Sequence, residues 1–432
     1  MAFTRLSHLE KPAIREARRE TPRRRRLPRG GESARIGAIE LAHSLGDRCI
    51  MRDNFLVFGA PLISEDEIAE VVATLRSGWI GSGPRVKQFE RRFEEYVGVR
   101  HAVAVNSCTS ALHLALHVLG IGPGDEVITT PYTWCSTANV IVHRGARPVF
   151  VDVDRATGNL DPAQIEPAIT GRTRAILPVH LAGRACDMDA IMQIARQRGL
   201  KVIEDAAHAL EATWKGRRAG SIGNCGAFSF YATKNITTAE GGMAVTAEAA
   251  LAERLRILSL SGTSADAWRR FQADGPPHVQ VVEAGYKYNM TDLQAALGLK
   301  QLEKVERYLE SRERLWRFYD EALAGLPLIR PAPALPGCRH ARHLYSLLVD
   351  TERAPLSRDA LREELKKRRI GTGVHYIALH LHPFYQRQYG YRAGQFPNAE
   401  YLSERTFSIP LSPRVTEADA RDVVEALRHA LQ

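Results

Sequence analysis

Five short segments hold residue types that can do chemistry. In the first, Lys234 follows Phe228-Ser229-Phe230-Tyr231, where a small hydroxyl residue alternates with aromatics, and Thr233, Ile236 and Thr237 flank it. A lysine beside a buried sheet is poorly solvated, which lowers its pKa and leaves a neutral, nucleophilic amine. Glu240-Gly241-Gly242 comes next and lets backbone approach closely. In the second, Asp205 stands just past the apolar run Val202-Ile203. A carboxylate there can face a buried cation; an N-cap aspartate carries the same signature. His208 sits three residues on and within reach of the same ligand, although a lone histidine is more often structural. The third segment, Asn106 to Leu112 (NSCTSAL), joins a strand to a helix and puts Thr109 and Ser110 at a helix N-terminus, whose free N–H groups suit a phosphate. Such junctions are common, so alone this is a weak signal. The fourth, Pro131-Tyr132-Thr133-Trp134, ends another strand; Trp134 can stack on a flat heterocycle or pack in the core. The fifth, Gly285 to Asp292 (GYKYNMTD), crowds Lys287 and Asn289, both able to contact anions, before a helix capped by Thr291 and Asp292.

These segments need a frame. Ser64-Glu65-Asp66-Glu67 reads as a capping box opening a helix with Ile68, Val71, Val72 and Leu75 at helical spacing. The glycine-rich loop Ser77 to Pro84 (SGWIGSGP) carries Trp79, and a second helix follows over 86–96. Apolar strands are then predicted at 102–105, 126–129, 148–153, 175–179, 202–204, 227–231 and 243–246, with helices between the earlier ones. This alternation predicts an α/β fold with a mainly parallel sheet covered on both faces, and ligands at the carboxyl ends of its strands. Residues 291–325 read as one long amphipathic helical region, and the rest as a smaller C-terminal α+β domain. Three segments are expected: a basic, disordered extension over 1–54, a large α/β domain over 55–300, and a linking helix with the small domain over 301–432.

Composition narrows the class. The chain has 432 residues, 44% hydrophobic and 25% charged, as in soluble globular proteins. No run approaches the roughly 20 apolar residues of a membrane helix, and no secretory signal opens the sequence; a cytoplasmic protein without membrane contact is expected. The six cysteines form no C-x-x-C pair, which points to reduced thiols rather than a zinc site or a disulfide framework. His380-x-His382 lacks a third ligand, so no metal is expected. The net charge is +10, but residues 1–50 alone carry 12 Lys/Arg against 6 Asp/Glu. Their Arg23–Arg26 run lacks interleaved aromatics, and nucleic-acid binding is not expected. Met51 is an alternative physiological start, since organised pattern begins at Phe55.

The order of the segments says more than any one of them. Together with PVHLAGRACDMDAI, EDAAHA, FSFYATKN, AEGG, GVHYIALHLHPFY and FPNAEYLSERTFSIPLSP, they resemble the DegT/StrS family of sugar aminotransferases, within the fold-type I pyridoxal-phosphate (PLP) enzymes, from about Phe55 to the end. The resemblance implies a seven-stranded sheet and PLP as cofactor. Lys234 would be the Schiff-base lysine and proton shuttle. Asp205 would pair with the pyridine nitrogen, Trp134 would stack on the ring, and His208 would lie near its hydroxyl. Thr109, Ser110 and Ser229 would hold the phosphate. Asn289 resembles the residue that reaches the neighbouring subunit's cofactor, which implies a homodimer with a shared site; many members read GYNYRM where this chain has GYKYNM. Trp79, His375 and Tyr376 stand where members contact the sugar nucleotide. The implied reaction moves an amino group, from a donor such as glutamate, to a nucleotide-linked keto sugar. Dehydrating relatives carry His in place of the lysine, so Lys234 favours transamination over a dehydratase. A non-catalytic PLP-binding regulator is the other alternative, and the complete Lys/Asp/Ser set speaks against it.

Overall fold

In the computed structural model, residues 52–263 and 280–432 are described. The expectation for residues 1–54 therefore falls, but for its last three positions, outside the described residues.

Each predicted apolar run becomes a strand. They are β1 (His101–Val105), β2 (Glu126–Thr129), β3 (Arg147–Phe150), β4 (Thr173–Leu177) and β5 (Lys201–Asp205), then β8 (Cys225–Ser229) and β9 (Gly242–Thr246); β6 (Thr213–Trp214) and β7 (Arg217–Arg218) form a separate small hairpin. The seven make one sheet in the order β1-β9-β8-β5-β4-β2-β3. Neighbours from β8 to β3 pair in parallel, and β9 alone runs against both its neighbours, β8 and β1. Strands covered on both faces lose polar alternation, and every residue of β2 and β9 is buried.

The period of two then sorts side chains between two cores. Helices α1 (Glu65–Ser77), α2 (Pro84–Val97), α3 (Cys108–Val118) and α4 (Cys135–His143) precede or interleave the first strands. Val103, Val127, Ala175, Ile203 and Ala227 pack with Ala111, Leu112, Leu114 and Ala115 of α3 and Val140 of α4. Ala104, Ile128, Ile176, Val202 and Phe228 face the other way, onto Phe89 and Phe93 of α2 and Ile191.

The long helical region expected at 291–325 is instead two helices, Asp292–Leu302 and Val305–Ala322. Lys304 sits between them at φ −108°, ψ −3°. Its ammonium is engaged elsewhere: it donates to Ser64 Oγ (2.8 Å) and pairs with Asp66 and Glu67 (both 2.6 Å) at the start of α1. No glycine or proline marks the break, so sequence period alone ran through it. The second helix packs on a small antiparallel sheet of β10 (Leu328–Ile329), β11 (Tyr345–Val349) and β12 (Thr406–Ile409), together with helices Arg358–Lys367 and Glu417–Leu431. Arg52 pairs with Asp419 and Asp422 of that last helix. Among the described residues no helix is long and apolar enough to cross a membrane.

Candidate active site

A cavity of about 490 Å³ opens at the carboxyl ends of the parallel strands, where open α/β sheets gather ligands. Its lining includes Thr109, Trp134, Asp205, His208, Ser229, Lys234, His375 and Tyr376. Eight residues singled out from sequence thus meet in one place, although they lie on five different segments of chain.

Lys234 lies in the loop between β8 and β9. Hydrogen bonds hold that loop tightly: Lys234 N–H to Tyr231 O (2.9 Å), and Thr238 N–H (2.9 Å) and Thr237 Oγ1 (3.1 Å) to Phe230 O. Among the described residues nothing hydrogen-bonds or ion-pairs with its Nζ. Desolvation brings the amine down to about 8, against the upward pull of Cys108 and Asp205. A minority of this lysine is therefore a free amine just above neutral pH, a far larger share than for an ordinary lysine.

Asp205 ends β5 and is 5% exposed. Thr137 Oγ1 donates to its Oδ2 (2.8 Å) and Ala207 N–H to its Oδ1 (3.1 Å). Burial pushes its carboxyl up, and those two donors offset only part of that shift. A cation in the cavity would stabilise the ionised form further. Its neighbour Glu204, fully buried, points to the other face. It accepts from Gly220 (2.8 Å), Ile222 (2.6 Å) and Gly223 (2.7 Å) amides and from His180 Nε2 (2.9 Å). Desolvation opposes ionisation there, but those donors win and hold the carboxyl below its usual value. Glu204 thereby fastens the end of β5 to the chain entering β8.

The start of α3 forms another wall. Ser107 caps it, accepting from Ser110 N–H (3.1 Å). The first-turn amides of Cys108 and Thr109 have no acceptor among the described residues, which suits an anion. Gly242 lies so close that a Cβ there would sit 2.4 Å from Ser107 C and 2.5 Å from Cys108 N. Trp134 is 60% exposed at the rim, its ring 6.1 Å from that of Tyr376.

Three singled-out residues do not line this cavity. Ser110 is buried, and its hydroxyl donates to Asn106 Oδ1 (2.6 Å). Trp79 and Asn289 meet instead at Ser82: Trp79 Nε1 donates to its carbonyl (3.2 Å) and Asn289 Nδ2 to its hydroxyl (2.7 Å). Sequence reading also missed Thr137, which holds Asp205, and His343, which lines the cavity beside His208. Neither stands in a segment whose local pattern marks it. Of the six cysteines, the five described ones are unpaired. His380 Nε2 faces Glu400 (2.9 Å) rather than His382, and no group of three metal-ligating side chains occurs among the described residues.

The profile of the DegT/DnrJ/EryC1/StrS aminotransferase family matches residues 61–428. The chain belongs to that family. Among relatives, the spore coat polysaccharide biosynthesis protein SpsC of Bacillus subtilis is 52% identical over 379 residues, which are 87% of this chain and 97% of SpsC. The putative sugar aminotransferase Spr1654 from Streptococcus pneumoniae, in its PMP form, superposes with a TM-score of 0.81 at 36% identity, covering 87% of this chain and 98% of Spr1654. PseC of Helicobacter pylori, an aminotransferase involved in the biosynthesis of pseudoaminic acid, superposes at 0.80 with 27% identity, covering 88% of this chain and 99% of PseC. The family assignment makes this chain a transaminase on an α/β, fold-type I scaffold, and the mixed sheet with its cavity is that scaffold's working face.

Proposed function

We propose that this family member is a PLP-dependent aminotransferase that carries an amino group from a donor such as glutamate to a nucleotide-linked keto sugar. The carrying observation is the pairing within one cavity of an unpartnered, partly neutral Lys234 amine with the buried carboxylate of Asp205. The residues fit the cofactor. An unpaired amine suits its aldehyde, a buried acid suits its ring nitrogen, and free amides at the start of α3 suit its phosphate. Spr1654 has been solved in both a PLP form and a PMP form, the two states a transaminase alternates between.

Bound there, PLP supplies the electron sink that lets a substrate carbon lose and regain a proton. The chain does the rest. Lys234 is the attachment point and carries that proton at Nζ, for which an amine near pKa 8 is well matched at neutral pH. Asp205 holds the ring nitrogen protonated, with Thr137 fixing the carboxylate plane. Thr109, Ser229 and the α3 amides take the phosphate, and Ser110 braces them from behind through Asn106. Trp134 would cover the cofactor's ring, and His208 would stand by its hydroxyl; both line the cavity. Trp79, His375 and Tyr376 are assigned to the sugar nucleotide. Asn289, with Trp79 at Ser82, is assigned to the site of a second copy in a cytoplasmic homodimer.

The test is a panel of nucleotide keto sugars with glutamate as donor and product analysis by mass spectrometry. Formation of an amino sugar and 2-oxoglutarate is expected, and Lys234→Ala should abolish both. Normal turnover in that variant, or water loss in place of amino transfer, would overturn the proposal.

A further inference from the structure

Beside the active cavity lies a second one, of about 200 Å³, that the roles above do not use. The loops after β2, β3 and β4 form one side of it, through Tyr132, Gly158 and Leu181. Ile329 of β10, Ser346 of β11 and Thr406 of β12 form the other, so it lies at the seam between the large sheet and the small one. Leu344 and His375 line both cavities. The charge of the second cavity is one-sided: Arg155, Arg184, Arg330 and His340 line it, and no Asp or Glu does among the described residues. Arg184 is 7% exposed, yet its guanidinium meets two neutral carbonyls, those of Pro333 (2.8 Å) and Ala332. Its other N–H groups have no acceptor among the described residues. Arg155 donates to Asn398 Oδ1 (3.0 Å) and Arg330 to the Asp320 carbonyl, again neutral acceptors. Burial, and next the charge of Arg342, pull Arg184 below the usual arginine value, with Asp154 opposing them. A buried cation held by neutral groups alone is a costly arrangement that an anion relieves.

His340 gives an independent sign. It is 5% exposed, and its Nδ1 accepts from Arg342 N–H (2.9 Å). Burial, then the charges of Arg184 and Arg342, hold the ring well below the ordinary histidine range, so it is neutral. Its proton therefore sits on Nε2. That N–H has no acceptor among the described residues, which is rare for a buried donor. Arg184 and His340 also border a cleft of about 10 Å³, room for a single water at most. The larger cavity is where both can meet a ligand.

We propose that this cavity binds a small oxyanion, phosphate or a short dicarboxylate, on Arg184 and His340, with the exposed Arg155 and Arg330 at its mouth. Size sets the class. The volume of about 200 Å³ equals roughly six waters at about 30 Å³ each. It falls short of the roughly 300–1,000 Å³ of pockets for drug-sized ligands, so a nucleotide sugar is excluded. Guanidinium groups match the planar geometry of carboxylate and the oxygens of phosphate. The anion would be held from both sides of the seam: by Arg155 and Arg184 on loops of the large sheet, and by Arg330 and His340 on chain flanking β10 and β11. It would screen Arg184 from Arg342, give His340 Nε2 its acceptor, and fasten the seam behind His375.

Calorimetric titration of the PLP-saturated protein with inorganic phosphate and, separately, with succinate tests this at constant ionic strength. At least one should bind saturably with a Kd of about 1 mM or tighter, and should raise the thermal midpoint as its concentration rises. Binding of phosphate alone identifies a phosphate ligand, of succinate alone a dicarboxylic acid, and of both the oxyanion chemistry they share. Arg184→Gln should weaken binding about 10- to 100-fold, the size of a lost charge-assisted hydrogen bond. Arg330→Gln, at an exposed position, should weaken it about threefold through the loss of a screened charge. If Arg184→Gln folds, its affinity decides; if it does not, that of Arg330→Gln does. Saturable binding of neither anion overturns the proposal. So does wild-type affinity in the deciding variant, which would place the anion in the active cavity or elsewhere. No readout here uses amino transfer, so the outcome stands apart from that of the function proposed above.

Discussion

Replacing Glu204 by Gln should cost this protein about 3–6 kcal/mol of stability, although the two side chains have nearly the same shape. Each Glu204 oxygen serves two donors: Oε1 takes the Ile222 and Gly223 amides, and Oε2 takes the Gly220 amide and His180 Nε2. His180 Nδ1 already accepts from Cys186 N–H (3.0 Å), so the ring cannot turn to offer a lone pair. A glutamine must place its NH2 against one of the two donor pairs. Two hydrogen bonds to a charged acceptor are lost, each about 1.5–3 kcal/mol net, and buried donors are left facing a donor. Urea unfolding of purified protein, followed by fluorescence and circular dichroism together to check for a single transition, reads the loss. The pH dependence sharpens the test. The Glu204 carboxyl is held below its usual value, so the folded state binds fewer protons there than the unfolded chain. Its contribution is full above the unfolded pKa near 4.5 and is lost as pH falls below it. The variant should therefore lose stability at pH 7 and show a flatter acid limb. A change under about 1 kcal/mol with an unaltered acid limb would refute this account of how the end of β5 is held.

Three further outcomes are expected. In cofactor-free protein, the rate at which Lys234 is trapped by PLP and borohydride should rise with pH through a midpoint of about 8; mass spectrometry of the labelled peptide checks it, and a midpoint near that of an ordinary lysine would contradict the desolvated setting. Gly242→Ala should destabilise by about 1–3 kcal/mol and weaken PLP binding in a cofactor titration, because the new methyl would meet the Ser107–Cys108 backbone, which cannot swing aside as a side chain can. Arg312→Met should cost about 3–5 kcal/mol in chemical denaturation, since it leaves Glu211 charged and buried without its partner.

The sequence made the sheet legible because each strand is a short apolar run bounded by turn residues, and covered strands need nothing subtler. It did not reveal that β9 runs antiparallel, because strand direction leaves no mark on a five-residue run such as Gly242–Thr246. Nor did it reveal the break at Lys304, which coincides with an ion pair to residues more than two hundred positions earlier. The site divides in the same way. Lys234, Asp205, Ser229 and Thr109 stand at strand ends or a helix start, where local pattern and chemistry coincide. Thr137, Glu211, Arg312 and His343 act through contacts between distant segments, and each reads locally as an ordinary helix, loop or core residue. Trp79 and Asn289 come together at Ser82, away from the cavity of their own chain, a meeting that neither motif announces.

The placement of β9 has a consequence for the order in which this protein folds. It is the last strand of the large sheet in sequence, yet it lies between β8 and β1, and β1 has no other neighbour in that sheet. His101 must wait for Thr246 before the first strand joins the sheet. Closing so long a loop is slow, and until it closes both β1 and β8 present open edges able to pair with another chain. The loop bearing Lys234 is tethered at both ends only when β9 enters. Catalytic competence should therefore be among the last properties to appear during refolding, and the interval before it the period most exposed to aggregation.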